Sequence, residues 1–416
     1  VSYLITNHLP FDAYRLAWEP VQLFWLSLYY LALTVPFFFG GLVIGTVLAT
    51  HPEGAGVIYG VNMVGSGLGP PLALVALATV GGPGAVIGCT LLGWLAVSIG
   101  WLNRRTTGTR YLVVIGFVTL ISLLLLFSTL RPPAIFRVQL TPYKSLSQAQ
   151  LYPGSKLVFS QWNAVSRVDV LQSNGIRSAP GLSFIYPGAL PSQLGLMIDG
   201  DNLSPISEPA DPTFTHYLPL RLAFGLRPEA SILILEPGGG LAVLAAQAHG
   251  AGPVTVVQSN PTVLTAVREI SAALGRDLYN DPAVTVIVDD PRSFLRRSDQ
   301  QFDLILMPLT DSYHPVTAGA YTLAEDYRYT VQAFSDMLAH LTPNGLLVVE
   351  RWLQLPPSET LRLWGTAIAA VRRSFPEADP ATHLLAVRTL QTSLLVAGRA
   401  PLTAADLATA RDLSTA

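Results

Sequence analysis

Four short clusters in the second half of the chain hold residues whose types and spacing could do chemistry. The first is Glu236, Pro237, Gly238, Gly239 and Gly240, directly after the apolar run Ser231–Leu235. Glycine at a strand-to-helix turn lets the backbone approach a ligand, and the helix that follows presents free N–H groups. Any tight turn of this kind wants glycine too, so the cluster gains meaning only from its place after a buried strand. The second is Gln258, at the end of Val254–Val257, where a nucleoside-binding domain usually offers an acid to ribose hydroxyls. A neutral amide can still bond a hydroxyl, at about 0.5–1.5 kcal/mol against about 1.5–3 for a charge-assisted bond. The third is Asp289 with Asp290, placed either to meet an adenine amino group or to cap a helix that opens at Pro291. The fourth is the loop from Met307 to Pro315, in which Asp311, Tyr313 and His314 are acid–base candidates and Thr310 precedes them. A polar loop with two prolines is equally ordinary surface.

The elements around these clusters decide their weight. Ser231–Leu235 is a continuous apolar run, as expected of a strand buried on both faces. Further strands are predicted at 254–257, 284–288, 302–306, 346–350, 383–388 and 391–397. Helices are predicted after the Gly240 turn, from Asn260 and Pro261 to about Leu274, from Leu323 to Leu341, and over 358–374. Strands alternating with helices mean a parallel sheet covered on both faces, in which ligands sit at the carboxyl ends of the strands. All four clusters fall at such ends. Residues 208–416 therefore read as a Rossmann-like α/β domain of the methyltransferase type. Before it, residues 131–207 carry short alternating runs (157–162, 166–171, 194–198) and an Asp199-Gly200 turn, which predict a small antiparallel β-subdomain.

Residues 1–130 have another texture. They hold only Asp12, Arg15, Glu19, Glu53, Arg104, Arg105 and Arg110 of the 52 Asp, Glu, Lys and Arg in the chain. A bilayer core needs roughly 20 apolar residues per helix, so spans are predicted at 22–49, 56–80, 83–103 and 110–130, forming an α-helical transmembrane bundle. Trp25, Tyr29, Tyr30, Trp94 and Trp101 suit interfacial positions. In the second span Gly60, Gly65, Gly67 and Gly69 lead into Pro70 and Pro71. Small residues allow close helix packing, and Pro-Pro breaks or kinks the helix. A re-entrant segment lined by Asn62 and Ser66 is the alternative. The chain opens on Val1 with no signal-peptide layout, which reads as an N-terminal truncation. Its single cysteine, Cys89, excludes a disulfide framework and a cysteine-based metal site, and no metal is expected. A net charge of −2 without a basic stripe argues against nucleic acid.

At these residues the sequence resembles the spermidine synthase (polyamine aminopropyltransferase) family, in particular its multi-span bacterial relatives. In the membrane part the resemblance rests on Pro10-Phe-Asp-Ala-Tyr-Arg-Leu-Ala-Trp18, Val35-Pro-Phe-Phe-Phe-Gly-Gly-Leu-Val43 and Tyr59 with the glycines after it. Beyond it, Pro142-Tyr-Lys-Ser-Leu-Ser147, Asp199-Gly200, the Gly238 turn and Phe302-Asp-Leu-Ile305 carry it. The most specific peptides are Tyr321-Thr-Leu-Ala-Glu-Asp-Tyr-Arg-Tyr-Thr-Val-Gln-Ala-Phe334 and Arg351-Trp-Leu-Gln-Leu-Pro-Pro357. The resemblance implies a decarboxylated S-adenosylmethionine or S-adenosylmethionine cofactor held by Glu236, Gly238, Gly239, Gly240, Gln258, Asp289, Asp290 and Thr310. It implies aminopropyl transfer to a small amine, with Tyr321 and Asp199 on the substrate side and a multi-pass position in a bacterial inner membrane. Relatives with this soluble fold are often dimers, so a homodimer is expected alongside the lipid bilayer as partner.

The sequence departs from the family pattern where chemistry is done. Pro308 stands at the position of the catalytic aspartate, Gln258 at that of the ribose-binding glutamate, and Asn62 where an aspartate is expected. Asp311 or His314 would have to supply the missing base. Three functions follow in order: a degenerate membrane-bound transferase; a non-catalytic nucleoside- or polyamine-binding domain that regulates the membrane part; and a small-molecule transporter with a sensor domain. Sidedness is contradictory at this level. Arg104, Arg105 and Arg110 form the basic loop between spans and belong in the cytoplasm by the positive-inside rule, which would put the domain outside, away from where its cofactor is made.

Overall fold

A long uncharged run has little choice in lipid but helix, because each backbone N–H and C=O must find its partner within the segment. A short helix α1 (Ser2–His8) precedes three long ones: α2 (Val21–Thr50), α3 (Ala55–Leu102) and α4 (Thr109–Leu130). The computed structural model describes residues 1–102, 109–310, 326–354 and 356–415. Within them, three helical stretches are long and apolar enough to cross a membrane, with mean hydropathies of 2.1, 1.9 and 2.6. At 1.5 Å per residue an unbroken α3 would be about 72 Å long, more than twice a bilayer core of about 30 Å. It is broken at Gly81 (φ 72°, ψ 175°), a backbone state that glycine adopts without penalty. The spans expected at 56–80 and 83–103 lie on either side of that residue. Pro70 and Pro71, where a break was expected, sit inside regular helix. Proline bends a helix but ends it only where the freed carbonyls find nothing else, whereas Gly81 changes the direction of the chain.

The chain divides into two compact units, residues 1–142 with 161–167, and residues 143–160 with 168–416. The stretch between Leu130, where the sequence places the boundary, and Pro142 goes with the helices. In this first unit the second half of α3 runs antiparallel to α4. Gly84 faces Thr129, so closely that a Cβ on Gly84 would lie 2.6 Å from the Thr129 carbonyl oxygen. Further along the pair, Trp94 meets Phe117 edge-on at 6.1 Å. Trp94 is thus a packing residue between two helices rather than an interfacial anchor. Among the described residues nothing approaches a Cβ at Gly60, Gly65, Gly67 or Gly69 within 4 Å, so the close helix contact expected there is not formed by them. After α4, Phe136 stacks on Tyr3 at 6.1 Å, and Asn7 of α1 bonds the Arg137 carbonyl (2.8 Å) and the Gln139 N–H (3.0 Å).

In the second unit a short helix α5 (Ser145–Ala149) leads into β1 (Lys156–Trp162), β2 (Arg167–Gln172), β3 (Gln193–Ile198) and β4 (Asp201–Ser207), side by side in that order. β2, β3 and β4 pair antiparallel. Asp201, 5% exposed, ties α5 to this sheet by accepting from the Ser145 hydroxyl at 2.8 Å and pairing with Lys144 at 3.4 Å.

After α6 (Arg221–Leu226) come β5 (Ile232–Leu235), α7 (Leu241–Ala248), β6 (Val254–Gln258), α8 (Pro261–Ala273), β7 (Val284–Val288), α9 (Pro291–Arg297) and β8 (Phe302–Met307). The chain ends with α10 (Val331–Ala339), β9 (Leu341–Trp352), α11 (Ser358–Ser374), α12 (Pro380–His383), β10 (Leu384–Arg388), β11 (Thr392–Gly398) and α13 (Ala404–Thr415). The seven strands stand in the order β10-β11-β9-β8-β5-β6-β7, with β5 to β9 parallel and β11 antiparallel to both neighbours. Alternate residues of β5 feed two cores, Ile232 and Ile234 on one face, Leu233 and Leu235 on the other. α10 is shorter than the helix expected at 323–341. Thr330 caps it by accepting the Ala333 N–H, and a 3₁₀ turn at Tyr327–Tyr329 precedes it.

Candidate functional site

From β5 the chain winds outward to β6 and β7, then returns to place β8 on the other side of β5. This reversal opens a crevice at the carboxyl ends of β5 and β8, where sheets of this kind bind ligands. Glu236 stands at its centre. The residue is left-handed (φ 53°), a state that costs a non-glycine residue about 1–3 kcal/mol. Its N–H still continues the ladder to the Val257 carbonyl at 2.9 Å. Its carboxylate accepts the Ser259 N–H at 3.0 Å and the side-chain amide of Gln258. Gln258 is 2% exposed, and with its nitrogen committed to Glu236 its Oε1 is buried without a partner. A buried unmet acceptor costs about 1–3 kcal/mol. The strand end where an acid was missing in the sequence is therefore next to an acid supplied by the neighbouring strand.

The glycine turn is packed against protein. A Cβ on Gly238 (φ 56°) would lie 2.6 Å from the Ser204 hydroxyl and 3.1 Å from a Thr310 methyl carbon. One on Gly239 would lie 2.3 Å from the Pro205 carbonyl oxygen. The Gly239 N–H donates to the Ser204 hydroxyl at 2.9 Å. Glycine is thus demanded here by β4 lying across the turn, and one of the N–H groups expected to be free is used by it. Gly240 (φ 89°) caps α7. Beside it the Tyr279 hydroxyl, fully enclosed and without a partner, has its pKa pushed up by burial.

Asp289 and Asp290 lie one strand further out, past β7. Asp290 accepts the Ser293 N–H at 2.8 Å and caps α9, while Asp289 accepts the Asp290 N–H at 2.8 Å and pairs with Arg297. The capping bond takes one oxygen of Asp290, and both oxygens of Asp289 are engaged. Asp199 (φ 52°) occupies the exposed β3–β4 turn with Gly200. Glu236, Gly238, Gln258 and Thr310 are brought together. Pro308 is buried at the end of β8. Asp311, Tyr313, His314 and Tyr321 lie outside the described residues.

A charged group on this edge went unnoticed in the sequence. Arg328 binds Asp326 through Nε (2.9 and 3.2 Å) and Nη2 (2.6 Å), and Arg351 lies over the Tyr329 ring at 4.6 Å. Burial works against both charges. The hydrogen bonds and charge of Arg328, with Arg351 beyond, nevertheless hold the Asp326 carboxyl below its usual range. Asp326, Tyr329 and Glu236 in turn hold Arg328 firmly charged. The arginine that feels Glu236 belongs to the peptide most specific to the resemblance, and that was the one available signal.

Comparison with known proteins finds distant relatives. Curated polyamine aminopropyltransferases from Korarchaeum cryptofilum and Pectobacterium atrosepticum are 25% identical over 118 residues and 27% over 122. The chain is a distant relative of the polyamine aminopropyltransferases. The matches cover 28% and 29% of this chain and span only 34% and 42% of those relatives' own length. No family model matches. Among solved structures, the spermidine synthase of Thermotoga maritima aligns over 60% of this chain and 75% of its own, at 15% identity and a TM-score of 0.40. A probable spermidine synthase from Corynebacterium glutamicum aligns over 63% and 86%, at 15% identity and a TM-score of 0.41.

Proposed function

We propose that the protein is a membrane-anchored transferase of the aminopropyltransferase type, whose α/β domain binds an S-adenosyl donor at the ends of β5 and β6. The observation that carries this reading is the Glu236–Gln258 pair. A ribose offers two vicinal hydroxyl donors, and the pair offers two acceptors of matching sense: a carboxylate, and a buried amide oxygen that lacks a donor. Asp290 would edge the base with the oxygen that its capping bond leaves clear, while both oxygens of Asp289 are engaged by the Asp290 N–H and Arg297. When bound, the sulfonium donor would supply the carbon that is transferred. The chain's own task is to bind, orient and hold protons. An ammonium acceptor has no lone pair until it loses a proton. Buried Pro308 does no such work, which leaves Asp311 as the loop's acid. In this reading the long helices are the membrane anchor, with the first and second halves of α3 as separate crossings.

Turnover tests the proposal. The full chain, given decarboxylated S-adenosylmethionine and a panel of small amines, is expected to release methylthioadenosine, and Asp311→Asn is expected to abolish the release. An active Asp311→Asn variant would remove Asp311 from the site. Pro308 favours a second reading, a non-catalytic nucleoside-binding domain, for which the expected result is donor binding without any methylthioadenosine.

A further inference from the structure

Between Glu53 and Asp169 the chain contains no acidic residue. Three of the arginines in that interval converge on one end of the helical unit. Arg131 follows α4 directly, its N–H closing the helix on the Phe127 carbonyl at 2.8 Å. Arg137 directly follows a 3₁₀ turn whose Phe136 stacks on Tyr3, and its carbonyl is bonded by Asn7. Arg167 comes from the tip of the β1–β2 hairpin, residues 161–167, which belongs to the helical unit. Its guanidinium lies 6.0 Å from the centre of the Trp162 ring. That ring covers the break in α3, since a Cβ on Gly81 would come within 2.9 Å of the indole and one on Gly82 within 3.0 Å. Gly84, one turn on, is the residue that faces Thr129 near the end of α4. The break, the end of α4 and the hairpin tip therefore share one end of the bundle.

Two acids of the helical unit are already engaged. Asp12 and Glu19 both pair with Arg15, at 3.2 and 3.3 Å. Arg131 and Arg137 are exposed, and neither side chain has an ion-pair partner among the described residues. Around the arginines stand apolar side chains turned outward: Trp18 (75% exposed), Ile135 (56%) and Val165 (76%). Aromatic and aliphatic groups beside guanidinium groups, at the end of apolar helices, match the boundary between hydrocarbon and headgroups.

We infer that this end of the helical unit is a binding surface for anionic phospholipid headgroups, with Arg131, Arg137 and Arg167 as the phosphate ligands and Trp162 at the same level. The inference rests on the proposed membrane anchor. A basic residue at an anionic leaflet is worth about a fivefold preference, so the three together correspond to a preference on the order of a hundredfold.

The test uses the full chain in a neutral detergent, titrated with dioctanoyl phosphatidylglycerol, dioctanoyl phosphatidylcholine and glycerol phosphate, with tryptophan fluorescence as readout. Phosphatidylglycerol is expected to bind on the order of a hundredfold more tightly than phosphatidylcholine, and 0.5 M salt to remove most of the difference. The variant carrying Arg131→Gln, Arg137→Gln and Arg167→Gln is expected to lose that preference. Should it fail to fold, the single Arg131→Gln and Arg137→Gln variants, at exposed sites, are each expected to weaken phosphatidylglycerol binding about fivefold. Equal binding of the two lipids, or unchanged binding by these variants, overturns the inference. So does glycerol phosphate binding as tightly as phosphatidylglycerol, which would mean an anion site without a lipid surface. Vesicle flotation separates this from failure of the anchor: a chain that floats with both vesicle types without preference refutes the lipid surface alone, and one that floats with neither refutes the anchor.

Discussion

Substituting Glu236 by Gln tests the site at its most unusual point. The variant keeps the side chain's length and an oxygen for the Ser259 N–H, so the turn is expected to hold. It removes the charge. A hydroxyl donating to a carboxylate is worth about 1.5–3 kcal/mol and one donating to a neutral amide about 0.5–1.5. The difference, a little over 1 kcal/mol, corresponds to about tenfold in affinity. Calorimetric titration of the full chain with methylthioadenosine is expected to show that loss with little change in thermal stability. Gln258→Glu is expected to do worse, because it sets two carboxylates against each other where Gln258 now donates to Glu236. Combining Glu236→Gln with Gln258→Glu restores one acid and one amide in exchanged places, and is expected to recover most of the affinity. Wild-type binding by Glu236→Gln, or a double variant no better than Gln258→Glu alone, would refute the idea that the strand-end acid has moved from β6 to β5.

Three further outcomes follow from the structure. Asp303 joins the amino ends of three strands, accepting from the Ser231 N–H (3.0 Å), the Ser231 hydroxyl (2.8 Å) and the Thr342 hydroxyl (2.8 Å), so Asp303→Asn is expected to cost about 1–2 kcal/mol in unfolding, after discount for its contact with solvent. Those bonds, with Arg227, hold its carboxyl below 3.8 against partial burial. Its contribution is complete above that value and is lost as pH falls through the lower, folded-state one. His249 is stacked on Phe224 and beside His216, and burial, with His216 and Arg221, lowers its pKa to about 4 from 6.5. The unfolded chain therefore binds the extra proton between those values, so stability is full above pH 6.5 and declines toward pH 4; His249→Phe is expected to flatten that slope in pH-dependent thermal melts. Gly84→Val would drive a side chain into the Thr129 carbonyl and is expected to cost about 1–3 kcal/mol, several degrees in a detergent melt, whereas Gly65→Val meets nothing and is expected to change stability little.

Much of the architecture was legible because it rests on local signals. A helix expected near 358–374 is α11, and Asn260 before Pro261 marked the start of α8, where the Asn260 side chain does accept the Thr262 N–H. The gap between the spans expected at 56–80 and 83–103 falls on Gly81, since a long apolar helix needs a residue free to reverse the chain. β4 was missed because Asp201, Asn202, Ser204 and Pro205 do not read as a strand; its partner β3 and the glycine turn it covers give it its place. The site was half legible. Glu236, Gly238 and Gln258 are all named as cofactor-binding from the sequence, but the bond that joins Glu236 to Gln258 is not visible there. What makes Glu236 an acid of the site is a contact with a residue 22 positions away, and no local pattern carries that. Close helix packing was sought where glycines are dense and occurs at Gly84, because a glycine matters only opposite another backbone.

The hairpin tip over the α3 break also has a place in time. A ribosome delivers α3 and α4 before any strand, and the tip (161–167) is nearly the first piece of sheet to follow. A nascent chain therefore owns the Gly81 seat before it owns the hairpin, and the hairpin before β3, β4 or the larger sheet. Seating Trp162 early would hold the tip of the hairpin in place while the rest of the chain is still being made. The later strands would then add to a hairpin already held at its tip, which shortens the search each must make for its partner.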